Sequence, residues 1–257
     1  MKVKLLVQIG IVFGICLVGE GIAAVLPFAF PASVLSMLLL FVLLLCGVLK
    51  VEHIREKGDF LLKNMAFFFI PSGVALLEQV DFLKGKIMIL LLICLITMVL
   101  TFAATAALAL SIYGQIDVLK KNLLPIAAGT LVGSLTSIIS VLGLCKLFGL
   151  SDELTASLIP KSVTTPIAME ISQQQGGIVS ITVAAVIVTG IFGAIFAPTL
   201  LKLFRVKDPV EAGIAIGTCS HALGTSKAVE LGEVEGAMSG IAIGAAGIFT
   251  VLLSMFL

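Results

Sequence analysis

The chain alternates long apolar runs with short polar interruptions, and most of the runs are too long for the core helices of a soluble domain. A bilayer-spanning helix needs about 20 mostly apolar residues. Residues 5–30 supply one, interrupted by Gly19-Glu20-Gly21 and turned by Pro27 and Pro31, and residues 33–49 supply a second. A third run, 65–77, is short and carries Pro71-Ser72-Gly73, so it is predicted to be bent, tilted or not fully spanning. Residues 87–112, 123–148, 178–203 and 237–257 form four further apolar stretches. The run 123–148 carries Gly129, Gly133, Ser134 and Ser137, small residues spaced for close helix contact in lipid. This pattern predicts an all-α, polytopic integral membrane protein with about six to eight transmembrane helices.

Composition sharpens that reading. The 257 residues are 60% hydrophobic and 12% charged, with a mean hydropathy of +1.24, far from a soluble domain. A net charge of +1 without a basic run gives no footprint for nucleic acid. Four of the five cysteines, Cys16, Cys46, Cys94 and Cys145, lie apart within apolar runs and read as packing residues. Cys219, beside Ser220 and His221, reads as either a reactive thiol or a small neighbour. No spacing suits a metal or redox centre. Lys2 and Lys4 precede the first run without a signal-peptide cleavage site, so that run is read as a permanent span.

Charge also sets the expected topology. Residues 50–59 with Lys63 hold four basic side chains, Lys50, Arg55, Lys57 and Lys63. The positive-inside rule puts them in the cytoplasm of a cell-membrane protein whose N-terminus is cytoplasmic too. His53 belongs to that loop and reads as a solvated surface residue, while Glu20 and Glu78 lie near expected membrane edges. Residues 117–122, with Lys120 and Lys121, offer a boundary between two membrane domains, 1–114 and 115–257.

Against this background residues 152–177 are too polar and Pro-rich for a lipid-facing span. They contain Pro160-Lys161-Ser162-Val163-Thr164-Thr165-Pro166-Ile167-Ala168-Met169-Glu170. Sixty residues later comes an echo, His221-Ala222-Leu223-Gly224-Thr225-Ser226-Lys227-Ala228-Val229-Glu230-Leu231, with His221 standing where Lys161 does. Each copy places small polar residues before a helix-compatible run starting near Pro166 or Lys227, the signature of a helix N-terminus with its anion-attracting amides. If run 123–148 leaves the cytoplasm and run 178–203 returns to the basic cluster Lys202, Arg205 and Lys207, the first copy enters and leaves on one side. It is therefore expected as a re-entrant or broken-helix hairpin, and the second copy, within 212–235, as a broken segment entering from the opposite face.

For a small carboxylate ligand, Ser162, Thr164, Thr165, Ser220, Thr225 and Ser226 offer hydroxyls, and Lys161 or Lys227 offers charge. Such a site needs no metal and no cofactor. Proton coupling points to His221, with Glu170 and Glu230 behind it, although either glutamate can equally serve as an ion-pair partner for the nearby lysine. Ser220-His221 lacks the setting of a nucleophile and its oriented base, and no hydrolase elbow or metalloprotease helix is present, so an enzyme is not expected.

Residues 158–170, 217–228 and 230–239 closely resemble the LrgB/CidB family, and the likeness runs from about Leu119 to Leu257. The first four runs resemble the LrgA/CidA family through Phe30-Pro31-Ala32-Ser33-Val34-Leu35 and Phe68-Phe69-Ile70-Pro71. The chain thus looks like an LrgA–LrgB fusion, similar in arrangement to the plastid glycolate/glycerate transporter. Where the LrgB family has a Gly-Pro-Ala-Thr-type segment, residues 101–107 lack the Gly-Pro, so the LrgB part is expected to be N-terminally truncated. The resemblance implies two competing functions. One is transport of small monocarboxylates of the pyruvate, glycolate or glycerate type. The other is holin- or antiholin-like regulation of murein hydrolase export and cell lysis. A homo-oligomer or a partner membrane subunit is expected in either case.

Overall fold

A computed structural model describes residues 5–27, 30–55, 60, 83–113 and 123–257, with side chains described up to residue 106 in the fourth segment and from residue 126 in the last. The expected run 65–77, the lysines at 57, 63, 120 and 121, Glu78 and the boundary 117–122 lie outside them. Every regular element among the described residues is helical, and five helices are long and apolar enough to cross a bilayer. The chain folds as two compact units, Met1–Val74 and Ala75–Leu257.

In the first unit, α1 (Leu5–Val25) pairs with the shorter α2 (Ala32–Leu45). The predicted interruption at Gly19-Glu20-Gly21 is absent, and α1 runs through it. Glycine is tolerated inside membrane helices where it allows close approach, and a Cβ at Gly19 would collide with Ser36 of α2. Ser36 Oγ donates to Ala32 O at 2.8 Å, satisfying its hydroxyl within α2. Pro31 occupies the N-cap of α2, and a short 3₁₀ turn, Val51–His53, follows. His53 caps that turn: its Nδ1 accepts from Lys50 N at 3.3 Å.

The second unit contains α3 (Ile87–Tyr113), α4 (Leu123–Leu147), α5 (Asp152–Leu158), α6 (Thr165–Gln174), α7 (Val179–Leu203), α8 (Pro209–Leu231) and α9 (Glu233–Ser254). At 1.5 Å per residue, α5 and α6 are about 10 and 15 Å long, so neither crosses the ~30 Å hydrocarbon layer alone. They form the helix–turn–helix hairpin expected around Lys161. Serine and threonine hydroxyls fasten the hairpin to α7: Ile178 N donates to Ser157 Oγ at 2.7 Å and Thr182 Oγ1 to Ser172 Oγ at 2.6 Å.

Helix α8 is central, packing against α9, α7, α3 and α4. Asp208 caps it, accepting from Val210 N at 2.8 Å and Glu211 N at 3.3 Å, and Pro209 occupies its first turn. Close approach rather than bulk sets these contacts, as in membrane helices generally. A Cβ at Gly217 would run into the Ser239 backbone of α9, and one at Gly133 of α4 would meet Thr105 of α3 and Thr218 of α8. Larger side chains fill the rest: Met98 and Phe102 of α3 pack with Ala197 and Leu200 of α7 and Ala215 and Ile216 of α8. The Phe102 and Phe204 rings lie 5.9 Å apart.

Candidate functional site

Lys161 lies in the turn between α5 and α6 and is fully buried. Pro160 helps to end the first helix, Val163 N closes on Pro160 O at 3.2 Å, and Pro166 in the first turn starts the second. The Lys161 ammonium donates to Ser162 Oγ at 3.1 Å, and Ser162 Oγ lies 2.9 Å from Ser137 Oγ of α4. Among the described residues no carboxylate forms an ion pair with it. Burying a charge without a counter-ion costs several kcal/mol, so such lysines mark ligand and ion pathways.

The second element of the site is the break in α8. His221 has φ 43° and ψ −141°, a conformation costing a non-glycine residue of order 1–3 kcal/mol. Its surroundings hold it there: Nε2 lies 2.9 Å from Val186 O of α7, and the ring edge packs over Gly190, where a Cβ would sit 2.7 Å from Cε1. Hydroxyls bond to the backbone around the break, Ser220 Oγ donating to Ile216 O at 2.7 Å and Thr225 Oγ1 to His221 O at 2.8 Å. Lys161 in the hairpin turn and His221 at the break are thus both buried.

Lys161, Ser162, Ser220 and His221 are all buried, the first two in the hairpin turn and the last two at the break in α8. Thr225 is half-buried and lies 2.7 Å from Ser239 Oγ of α9. Thr165 is buried at the start of α6, and Thr164 stands at its N-cap without a side-chain capping bond. Four predicted residues lie elsewhere. Ser226 is exposed, and Lys227 is engaged with Glu230 at 2.6 Å, with side-chain exposures of 33% and 66%. The helix segment expected to start near Lys227 begins after His221 instead, which carries Lys227 about 9 Å along the axis past the break. Glu170 is half-buried on α6. Cys219 is buried, its thiol directed to Ile216 O and Ser220 Oγ at 3.5 Å each, which settles it as a small packed neighbour.

Several buried polar groups escaped the sequence reading. Thr189 of α7 is buried beside Cys94. Glu211 in the first turn of α8 is 3% exposed, and its Oε2 is unpartnered. Cys94, Thr97, Thr101 and Thr105 form one buried face of α3, with each threonine hydroxyl bonded to the carbonyl four residues earlier. That four-residue threonine spacing inside an apolar run was the available signal. No cluster of three or more His, Cys, Asp or Glu side chains suited to a metal occurs among the described residues.

A buried ammonium, neighbouring hydroxyls and a helix restarted after a break together suit a small anion, because a restarted helix offers unpaired amides in its first turn. The fold and this centre define a polytopic helical membrane protein with a charged interior. The chain belongs to the LrgB-like family, which it matches over residues 95–257, and residues 16–109 match the LrgA family, giving an N-terminal LrgA and C-terminal LrgB arrangement. It is 38% identical over 218 residues to the antiholin-like protein LrgB of Bacillus cereus (strain B4264), covering 80% of this chain and 87% of that one. The antiholin-like protein LrgB of Bacillus anthracis (strain CDC 684 / NRRL 3495) matches with the same identity and coverage. That coverage exceeds the residues matched to the LrgB-like family, so these alignments reach into the segment before residue 95. The uncharacterized protein YxaC of Bacillus subtilis (strain 168) is 42% identical over 140 residues, 54% of this chain, which spans 61% of YxaC's length. No solved structure matches.

Proposed function

We propose that the chain acts in the cell membrane as an antiholin-like protein, assembled as a homo-oligomer or with a partner membrane subunit. This reading is carried by its 38% identity, over 80% of its length, to proteins named antiholin-like LrgB. A second reading, at the level of molecular activity, is favoured by one observation: a fully buried Lys161 with no acidic partner among the described residues. It is a carrier of small monocarboxylates, pyruvate, glycolate or glycerate in type, with proton coupling through His221. One fixed positive charge suits one carboxylate, and Ser162 with the turn before α6 supplies hydrogen bonds to it. Lys161, Ser162 and His221 are the core of this site, with Thr164 and Thr165 at its edge.

One preparation separates the two readings. Proteoliposomes holding the purified chain and an entrapped dye are given labelled pyruvate, glycolate and glycerate across a pH gradient. Saturable uptake that is lost in Lys161→Ala while the dye stays inside supports the carrier. Absence of uptake, with murein hydrolase release altered in cells that express the chain, leaves the antiholin-like role without a carrier activity.

A further inference from the structure

The first turn of α8 holds a carboxylate that the fold leaves unanswered. Glu211 is 3% exposed, and its Oε2 makes no hydrogen bond. It stands three residues after the N-cap Asp208, a place from which a glutamate ordinarily reaches back to the cap amide. Here that bond is not made. Asp208 alone serves the helix start, its carboxylate accepting from Val210 N and Glu211 N, so the positive pole of α8 already has its counter-charge.

No cation pairs with Glu211 either. Among the described residues, Lys202 at the end of α7 and Arg205 and Lys207 in the turn that follows are exposed, and none forms an ion pair with it. The described side chains of α3 carry no charge, and the basic residue of α4, Lys146, stands in the last turn of that helix. At the start of α9, Glu233 is exposed, while the Glu235 backbone packs on Gly213 and its carboxylate folds back over Gly232. The charges that α8 and α9 place in their first turns, Asp208, Glu211, Glu233 and Glu235, are thus all acidic.

A buried carboxylate without a partner escapes most of its desolvation cost by becoming neutral. A divalent cation asks for about six oxygen ligands, and no cluster of three or more His, Cys, Asp or Glu suited to a metal occurs among the described residues. A proton asks for one free oxygen, and Oε2 is free. Access is short, because Glu211 lies within one helical pitch, about 5 Å, of the end of α8 beside exposed Lys207.

We propose that Glu211 is a proton-binding site. Its carboxylate takes a proton from hydronium, releasing water, and the side chain stays in the packed interior as a neutral carboxylic acid. The site is the same whether the chain acts as a carrier or as an antiholin-like protein.

The unsubstituted chain in phosphatidylcholine vesicles is treated with dicyclohexylcarbodiimide, an apolar reagent that adds to protonated carboxyl groups, and the modified residues are located by peptide mass spectrometry. At neutral pH an adduct is expected at Glu211 and not at the exposed Glu153 and Glu230. Its yield should fall at least about tenfold in strongly alkaline buffer, as the group ionises. Sodium ions at fixed pH should leave the yield unchanged. In infrared difference spectra between the two buffers, the carbonyl stretch of a protonated carboxyl should be present for the unsubstituted chain and lost in Glu211→Gln. The labelling needs no substitution, so it decides the matter even if the variant does not fold. Absence of the Glu211 adduct, a yield indifferent to pH, suppression by sodium, which would reassign the carboxylate to a metal cation, or an infrared band that survives Glu211→Gln would each overturn the proposal.

Discussion

Lys161 and Lys227 stand in two stretches that look alike in sequence, and the molecule uses them in opposite ways. Lys161 is fully buried in the turn of a helical hairpin and donates to Ser162. Lys227 lies on the outer part of α8, a third exposed and paired with Glu230. The shared pattern of Thr, Ala and Glu therefore does not mark two equivalent halves of a site. What separates the two lysines is the length and packing of the helices around them. The first copy sits between two helices too short to cross the membrane, and the second continues a long helix that breaks earlier, at His221.

If the chain is the carrier proposed above, this contrast can be broken most directly by comparing the two lysines in uptake. Lys161→Ala removes a buried, charge-assisted contact worth about 1.5–3 kcal/mol, so uptake efficiency should fall about 10- to 100-fold. Membrane insertion should persist, read by the yield of monodisperse protein in detergent. Equal losses in Lys161→Ala and Lys227→Ala would dissolve the distinction.

The next largest effect concerns the packing that holds the break. Gly190→Val drives a side chain into the His221 ring and Leu223, and overpacking of this kind costs about 1–3 kcal/mol. The thermal midpoint of the detergent-solubilised protein should drop, and a Gly143→Val control, at a glycine with open space around it, should change it much less. His221→Gly sharpens the point further. It relieves a backbone cost of about 1–3 kcal/mol but forfeits the bond to Val186, worth about 0.5–1.5 kcal/mol, so these two effects leave stability between about 0.5 kcal/mol lower and about 2.5 kcal/mol higher. A severe loss of stability would mean that the imidazole packs the core more than it serves the site. The smallest effect is expected for Lys227→Ala, because exposed pairs like Lys227–Glu230 contribute about 0.2–1 kcal/mol. Uptake should stay within about twofold of the unsubstituted chain, since that pair lies away from the buried centre.

These cases also show what the sequence could disclose. Long apolar runs made α1, α3, α4, α7 and α9 legible, because a bilayer imposes length and hydropathy on each span. Lys161 was legible as a charge set inside an apolar chain, with prolines on both sides. A break in the second copy was expected, but its position at His221 was not legible. Its neighbours Ser220, Ala222 and Leu223 include no glycine or proline at the strained position, and the conformation is imposed by Val186 and Gly190, which are distant in sequence. The glycines of α1 misled in the other direction: Gly19 suggested an interruption, and it serves as a seat for Ser36. Glu211 follows the same logic, since an acidic residue in a helix's first turn reads as dipole compensation and its burial depends on packing by other helices.

The hydroxyl fastenings between the hairpin and α7 have a mechanical consequence. With Ser157 gripping the amide of Ile178 and Ser172 joined to Thr182, the two short helices are bolted to α7. Lys161 is thus a fixed post rather than a flap. On the carrier reading, whatever uncovers it has to move outside α5 and α6.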